Sequence, residues 1–154
     1  MIAISNTTID YDRSSRQWQA TRNGKVLTYP AGEQGKLGAI ADAIKAADEE
    51  LFAALSKMQA NYPQIGKRVW KMGMLILAGH VRPVLEDDVL AHVKSFSRPD
   101  IDHTVIWSGR NLFCDCEDFH GPHCPVIRWR SQRMCIHIGA VQTLRHLGRW
   151  PEDD

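Results

Sequence analysis

Apolar positions recur along this chain with two different spacings, and each spacing predicts a different kind of element. Trp18–Arg22 and Lys25–Tyr29 are short β-prone runs on either side of Asn23-Gly24. That dipeptide tolerates the two positive φ values of a type I′ turn, so the pair reads as a hairpin. A further strand is expected at Thr8–Tyr11. Pro30, Gly32, Gly35 and Gly38 then interrupt the pattern. Beyond them Leu37, Ile40, Ile44, Ala47, Leu51, Leu55 and Met58 recur at three- and four-residue steps. This is one apolar stripe, and it predicts a single long amphipathic helix that stops before Pro63.

A second helix is expected over Gln64–Ala78, with Ile65, Val69, Met72, Leu75 and Ile76 on one face and Gly79 at its C′ position. Pro83 ends any helical continuation. Val89, Ala91 and Val93 alternate as a strand does, and Ser97–Asp102 reads as a loop. Thr104–Trp107, Ser108-Gly109 and Asn111–Cys114 read as a second hairpin. Ile138, Val141 and Leu144 give Cys135–Leu147 helical spacing, and Gly148 suits its end. The order ββα, α, βββ, α predicts an α+β protein. Its expected parts are a β-hairpin and long-helix module over residues 1–62, a connecting helix over 63–84 and a hairpin–helix region over 85–150.

Composition narrows the class without naming a function. The chain has 154 residues, 44% hydrophobic and 24% charged, which suits a globular fold and argues against disorder or coiled coil. No apolar run approaches the roughly 20 residues of a membrane span. Met1–Asp12 has neither the basic nor the apolar stretch of a secretory leader. The expectation is a soluble cytoplasmic protein with no membrane partner. The formal net charge of +1 points to no acidic partner. Its distribution says more, since Asn61–Val84 and Phe119–Pro151 contain no acidic residue. One face can therefore be basic even in a near-neutral chain.

The four cysteines, Cys114, Cys116, Cys124 and Cys135, all fall within 22 residues, interleaved with His120, His123 and His137. In a reducing compartment such a cluster binds metal more often than it forms disulfides. Zinc takes four nitrogen or sulfur ligands in a tetrahedron. Two thiolates one residue apart converge where a strand ends in a turn, because side chains at period two share a face. Cys135 is expected just before the last helix and His137 in its first turn, where the positive end of the helix dipole favours thiolates. Cys114, Cys116, Cys135 and His137 would close a Zn2+ shell. No position is left for a catalytic water, so such a site is structural.

The spacing Cys114-Asp-Cys116, eighteen residues, Cys135-Ile-His137 resembles the SWIM zinc finger, C-x-C followed after a variable gap by C-x-H. Cys114-Asp-Cys-Glu-Asp-Phe119 and Cys135-Ile-His-Ile-Gly-Ala-Val141 are similar to that family's opening and closing runs. Ala78-Gly-His-Val-Arg-Pro-Val84 and Val93-Lys-Ser-Phe-Ser-Arg98 are similar to the lead-in of its prokaryotic members. The likeness spans about Gly79–Gly148 and fits a stand-alone prokaryotic or phage protein of this type. It implies a hairpin–helix finger that binds DNA or docks on another protein. The gap departs from the family by holding His120, His123 and Cys124, which are themselves competent ligands. Cys124 in place of Cys114 or Cys116, and a second ion on His120, His123 and Cys124, are alternatives at this point. Against them stand a Cys124 packed as a small hydrophobe and two histidines in a solvated turn.

Between the ligand pairs lies Ile127-Arg-Trp-Arg-Ser-Gln-Arg133. Arg128, Arg130 and Arg133 around Trp129 suit phosphates and the face of an unpaired base, and Arg145 adds charge on the last helix. The leading expectation is a zinc-stabilised accessory protein that binds nucleic acid, DNA ahead of RNA. The alternative is an adaptor docking on a recombinase, transposase, polymerase or ATPase of a DNA-processing complex. A thiol-redox protein using Cys114 and Cys116 is a third class. No nucleophile elbow, phosphate-cradling glycine loop or Ser/His/Asp set is visible, so no enzyme and no small-molecule substrate is expected. His80, His92 and His103 have no partner spacing.

Overall fold

A computed structural model describes residues 1–151, apart from the side chains of Leu85 and Trp129. The chain divides into two compact units, Met1–Ala53 and Ala54–Asp154. The division falls within a helix, and Asn61–Pro63 lies inside the second unit.

In the first unit, β1 (Ile2–Ile4), β2 (Thr7–Asp12), β3 (Gln17–Arg22) and β4 (Lys25–Tyr29) form an antiparallel meander in sequence order. The Asn23-Gly24 hairpin is present, with φ of 52° and 77° and Arg22 paired to Lys25. Helix α1 (Glu33–Ala47) covers the sheet with Gly35, Ala39, Ile40, Ala43 and Ile44, all buried. Ile4, Ile9 and Ala20 are the buried apolar sheet residues in this unit, with Thr7 buried beside them. Three of the five helix residues are Gly or Ala, which lets the helix lie close to the strands.

The single long helix expected from the apolar stripe is two helices, α1 and α2 (Glu49–Asn61). Asp48 between them adopts an extended backbone (φ −159°, ψ 96°), and its Oδ1 accepts the Leu51 N–H at 3.0 Å. A side chain that satisfies an orphan N–H starts a new helix at that point. The apolar stripe runs across the break unaltered, so periodicity alone does not reveal it.

The second unit continues through a 3₁₀ turn (Pro63–Ile65) into α3 (Arg68–Leu77). The start expected at Gln64 is thus displaced, because Gly66 at φ 56° breaks the helical path. A four-stranded antiparallel sheet follows: β5 (Val81–Glu86), β6 (Val89–Lys94), β7 (Asp102–Ser108) and β8 (Asn111–Cys114). Strand β5 was not legible in the sequence, since Pro83 reads there as a helix breaker. It is tolerated because β5 is an edge strand. The chain then forms a short turn of helix, α4 (Glu117–His120), the ribbon β9 (Val126–Ile127) and β10 (Gln132–Arg133), and α5 (Ile136–His146). Helix α5 packs on α3 and against β5, β7 and β8. Val69, Met72, Leu75, Val93, Val105, Leu112, Ile138 and Val141 are buried in this unit's core. The observed class is α+β, as the ordering of predicted elements implies. Among the described residues no helix is long and apolar enough to cross a membrane.

Candidate metal centre

Two chain segments deliver two candidate ligands each to a single point. Strand β8 ends on Cys114, and the strand-to-turn reversal brings Cys116 to the N-cap of α4. Cys135 is the N-cap of α5, and His137 lies in that helix's first turn. The Sγ atoms and a ring nitrogen all lie within 4.8 Å of one another, with the Cys114 Sγ to His137 Nδ1 distance at 3.8 Å. A tetrahedral zinc with bonds near 2.0–2.3 Å separates its ligand atoms by roughly 3.5–3.8 Å. All four residues are buried.

The electrostatics of the cluster fit a cation. Both capping sulfurs accept a backbone N–H, Cys116 from Phe119 at 3.3 Å and Cys135 from Ile138 at 3.5 Å. Donors at a helix N-terminus favour thiolate over thiol. The three sulfurs titrate together. Cys116 is held far below the ordinary thiol range by hydrogen bonds from Cys114, Cys135 and His137, whereas Cys114 is pushed up to about 12, chiefly by its hydrogen bond to Cys116. Burial, and then the neighbouring sulfurs, raise Cys135 well above the usual value. Charge on one sulfur therefore resists ionisation of the others. A divalent cation at the centre removes that resistance. The buried Nε2 of His137 has no hydrogen-bond partner among the described residues, so neither ring nitrogen is committed to a strong hydrogen bond that would compete with a metal. The cluster can hold a metal ion.

Surrounding contacts hold the ligands in register. The His103 ring packs on His137 with centroids 4.6 Å apart, and its Nδ1 lies 3.2 Å from Asp115 Oδ1. Asp115, the residue between the first two cysteines, also accepts the Thr104 N–H at 3.0 Å. His103 reads as partnerless in the sequence because its neighbours, Asp115 and His137, come from other segments of the chain. The buried Gln132 acts as a substitute strand. Its Oε1 accepts the Leu112 N–H and its Nε2 donates to the Leu112 carbonyl, both at 2.7 Å. No sequence signal marks it. Gln132→Leu should destabilise the protein by about 2–4 kcal/mol by orphaning two buried backbone groups, readable as a lower urea midpoint with metal still bound. An unchanged midpoint would show that water replaces the amide.

The residues of the gap lie outside the cluster. Cys124 is buried with its Sγ 3.7 Å from the Pro125 carbonyl, and its thiol is raised by burial. His120 packs edge-on against Phe113 and Phe119. His123 is exposed, and its carbonyl accepts from Arg68 at 3.1 Å. Among the described residues no second group of three or more such side chains has ligand spacing.

The cations behave individually. Arg128 and Arg130 are exposed, and Arg130 Nη1 donates to the Arg110 carbonyl at 3.2 Å. Arg133 is half-buried instead: Nε donates to the Phe119 carbonyl at 2.6 Å, Nη2 to the Gly121 carbonyl, and the guanidinium lies over the Phe119 ring. It clamps the α4 turn beside Cys116, a role its place in an arginine-rich loop does not reveal. Arg145 is exposed and stands 5.1 Å over the Trp107 ring. The Trp129 side chain lies outside the described residues. No family model, no curated protein and no solved structure matches this chain.

Proposed function

We propose that the chain is a zinc-stabilised accessory protein of the SWIM-finger kind that binds nucleic acid, DNA ahead of RNA. The observation that carries this reading is the buried Cys3His cluster tying the end of a hairpin to the head of a helix. Four such ligands would complete a tetrahedron, so the ion would brace the fold and leave no open position for a water nucleophile. That geometry favours a binding role over catalysis. Zinc is the metal that three thiolates and one imidazole suit best. Arg128 and Arg130 supply exposed cations on the loop that Arg133 ties to Phe119, and Arg145 adds another on α5, all in an acid-free stretch of sequence.

The test is metal content together with binding. One zinc per chain is expected by elemental analysis. Fluorescence anisotropy with labelled oligonucleotides should show affinity that falls steeply as salt rises, because neutralised phosphates release counterions. Arg128→Ala should weaken binding and flatten the salt slope by about one unit on duplex DNA. Binding that is absent at low salt would overturn the nucleic-acid reading, and co-purification with a recombinase or ATPase would then favour an adaptor.

A further inference from the structure

The second unit carries an open groove of about 790 Å3, within the roughly 300–1,000 Å3 typical of small-ligand sites. Residues from α2, β6, β7, the β9–β10 ribbon and the end of α5 line it. Its chemistry is selective. None of the lining residues is acidic, and Lys57, Arg145 and His146 are among them. Three aromatic side chains, Tyr62, Trp107 and Trp150, share the same walls. The indole Nε1 of Trp150 is buried with no hydrogen-bond partner among the described residues. A buried donor without an acceptor carries a desolvation cost that a ligand oxygen or ring nitrogen would relieve. Asn61 and Gln142 add amides able to donate and accept.

Cations, aromatic side chains and an unused donor lining one groove match one kind of occupant: a planar heteroaromatic ring joined to a phosphate. The placement of the arginine-rich loop supports the same occupant. Ile127 and Met134, which flank Arg128–Arg133, both line the groove, so a strand crossing that loop arrives at its rim. A base paired within a duplex cannot present its face to a wall, whereas an unpaired base can.

We propose that this groove takes one unpaired nucleotide of a single strand, with its base among Tyr62, Trp107 and Trp150 and its phosphate at Lys57 and Arg145. The proposal rests on the nucleic-acid reading above and makes it more specific: the protein is a reader of single-stranded or locally opened nucleic acid.

The experiment compares the full chain, with its metal bound, on a short labelled oligothymidine strand and on the corresponding duplex. The single strand should bind about tenfold tighter, a typical benefit of one base stacking on aromatic side chains. Binding should also quench intrinsic tryptophan fluorescence. Trp150→Ala should weaken single-strand binding about tenfold and leave duplex binding unchanged. Lys57→Ala, at an exposed position of α2, should lower the single-strand salt slope by about 0.7. Metal content and circular dichroism verify that both variants are folded. Equal affinity for strand and duplex, or loss of binding with Arg128→Ala while Trp150→Ala and Lys57→Ala bind like the parent, overturns the groove and leaves the nucleic-acid reading standing. A parent that binds neither oligonucleotide overturns both.

Discussion

Replacing Cys135 by alanine should release the metal and unfold the region from the end of β8 through α5. Cys135 belongs to the Cys3His cluster and is the N-cap of α5 at once, so an ion held there would join Cys114 and Cys116 to His137. A structural zinc contributes on the order of 10 kcal/mol of coupled folding free energy, comparable to the whole stability of a small domain. The loss is therefore global for this region. It should appear as near-zero zinc content, loss of amide-exchange protection across α5 and increased protease sensitivity. Cys124→Ser is the matched control: its sulfur lies against backbone groups of Pro125 and Met134 and outside the Cys3His cluster, so the variant should keep one metal. A Cys135→Ala protein that still carries stoichiometric zinc, or a Cys124→Ser protein that has lost it, would overturn the ligand assignment. Acid should act in the same direction as the Cys135 substitution. The metal-bound state holds fewer protons than the unfolded chain, so stability falls as pH falls and protons displace the ion.

The second large effect concerns the first unit. Gly35→Ala ought to stabilise a helix by about 1 kcal/mol on propensity alone, since alanine is the better helix former. At this position a Cβ would overlap the Pro30 carbonyl oxygen, and no other contact is as close. The obstacle is backbone, which cannot rotate aside as a side chain does, so Pro30 and the start of α1 must separate. A cost of about 3 kcal/mol, at the upper end for overpacking, is expected. Hydrogen exchange in α1 and β4 should rise and the denaturation midpoint should drop, with metal content unchanged. A variant as stable as the parent would mean that the approach of Pro30 to α1 is not required. Gly139 provides the contrast: its added Cβ would meet the end of the Met72 side chain, which can swing away.

Local chemistry was legible wherever one residue type has few alternatives. Asn23-Gly24 marked its turn, Gly79 and Gly148 adopt the positive φ that helix ends require, and the β7–β8 hairpin followed from alternation around Ser108-Gly109. The split of α1 from α2 was not legible, because Asp48 acts through a cap that leaves the apolar stripe intact. Nor was β5, whose proline is acceptable only at a sheet edge.

Seven side chains were candidates, counting His120, His123 and Cys124, and the register of the SWIM resemblance, rather than spacing alone, pointed to Cys114, Cys116, Cys135 and His137, the four that cluster in the structure. A ligand set is written in short spacings and in the elements that bear them, both of which are properties of the chain itself. The tertiary structure alone decided the rest: that Arg133 is spent on two carbonyls, that Gln132 replaces a strand, that His103 braces His137, and that Tyr62, Trp107 and Trp150 share one groove. Each of these depends on which distant segments lie side by side. Pairing across long sequence separations is set by packing of the whole unit, and no local pattern encodes it.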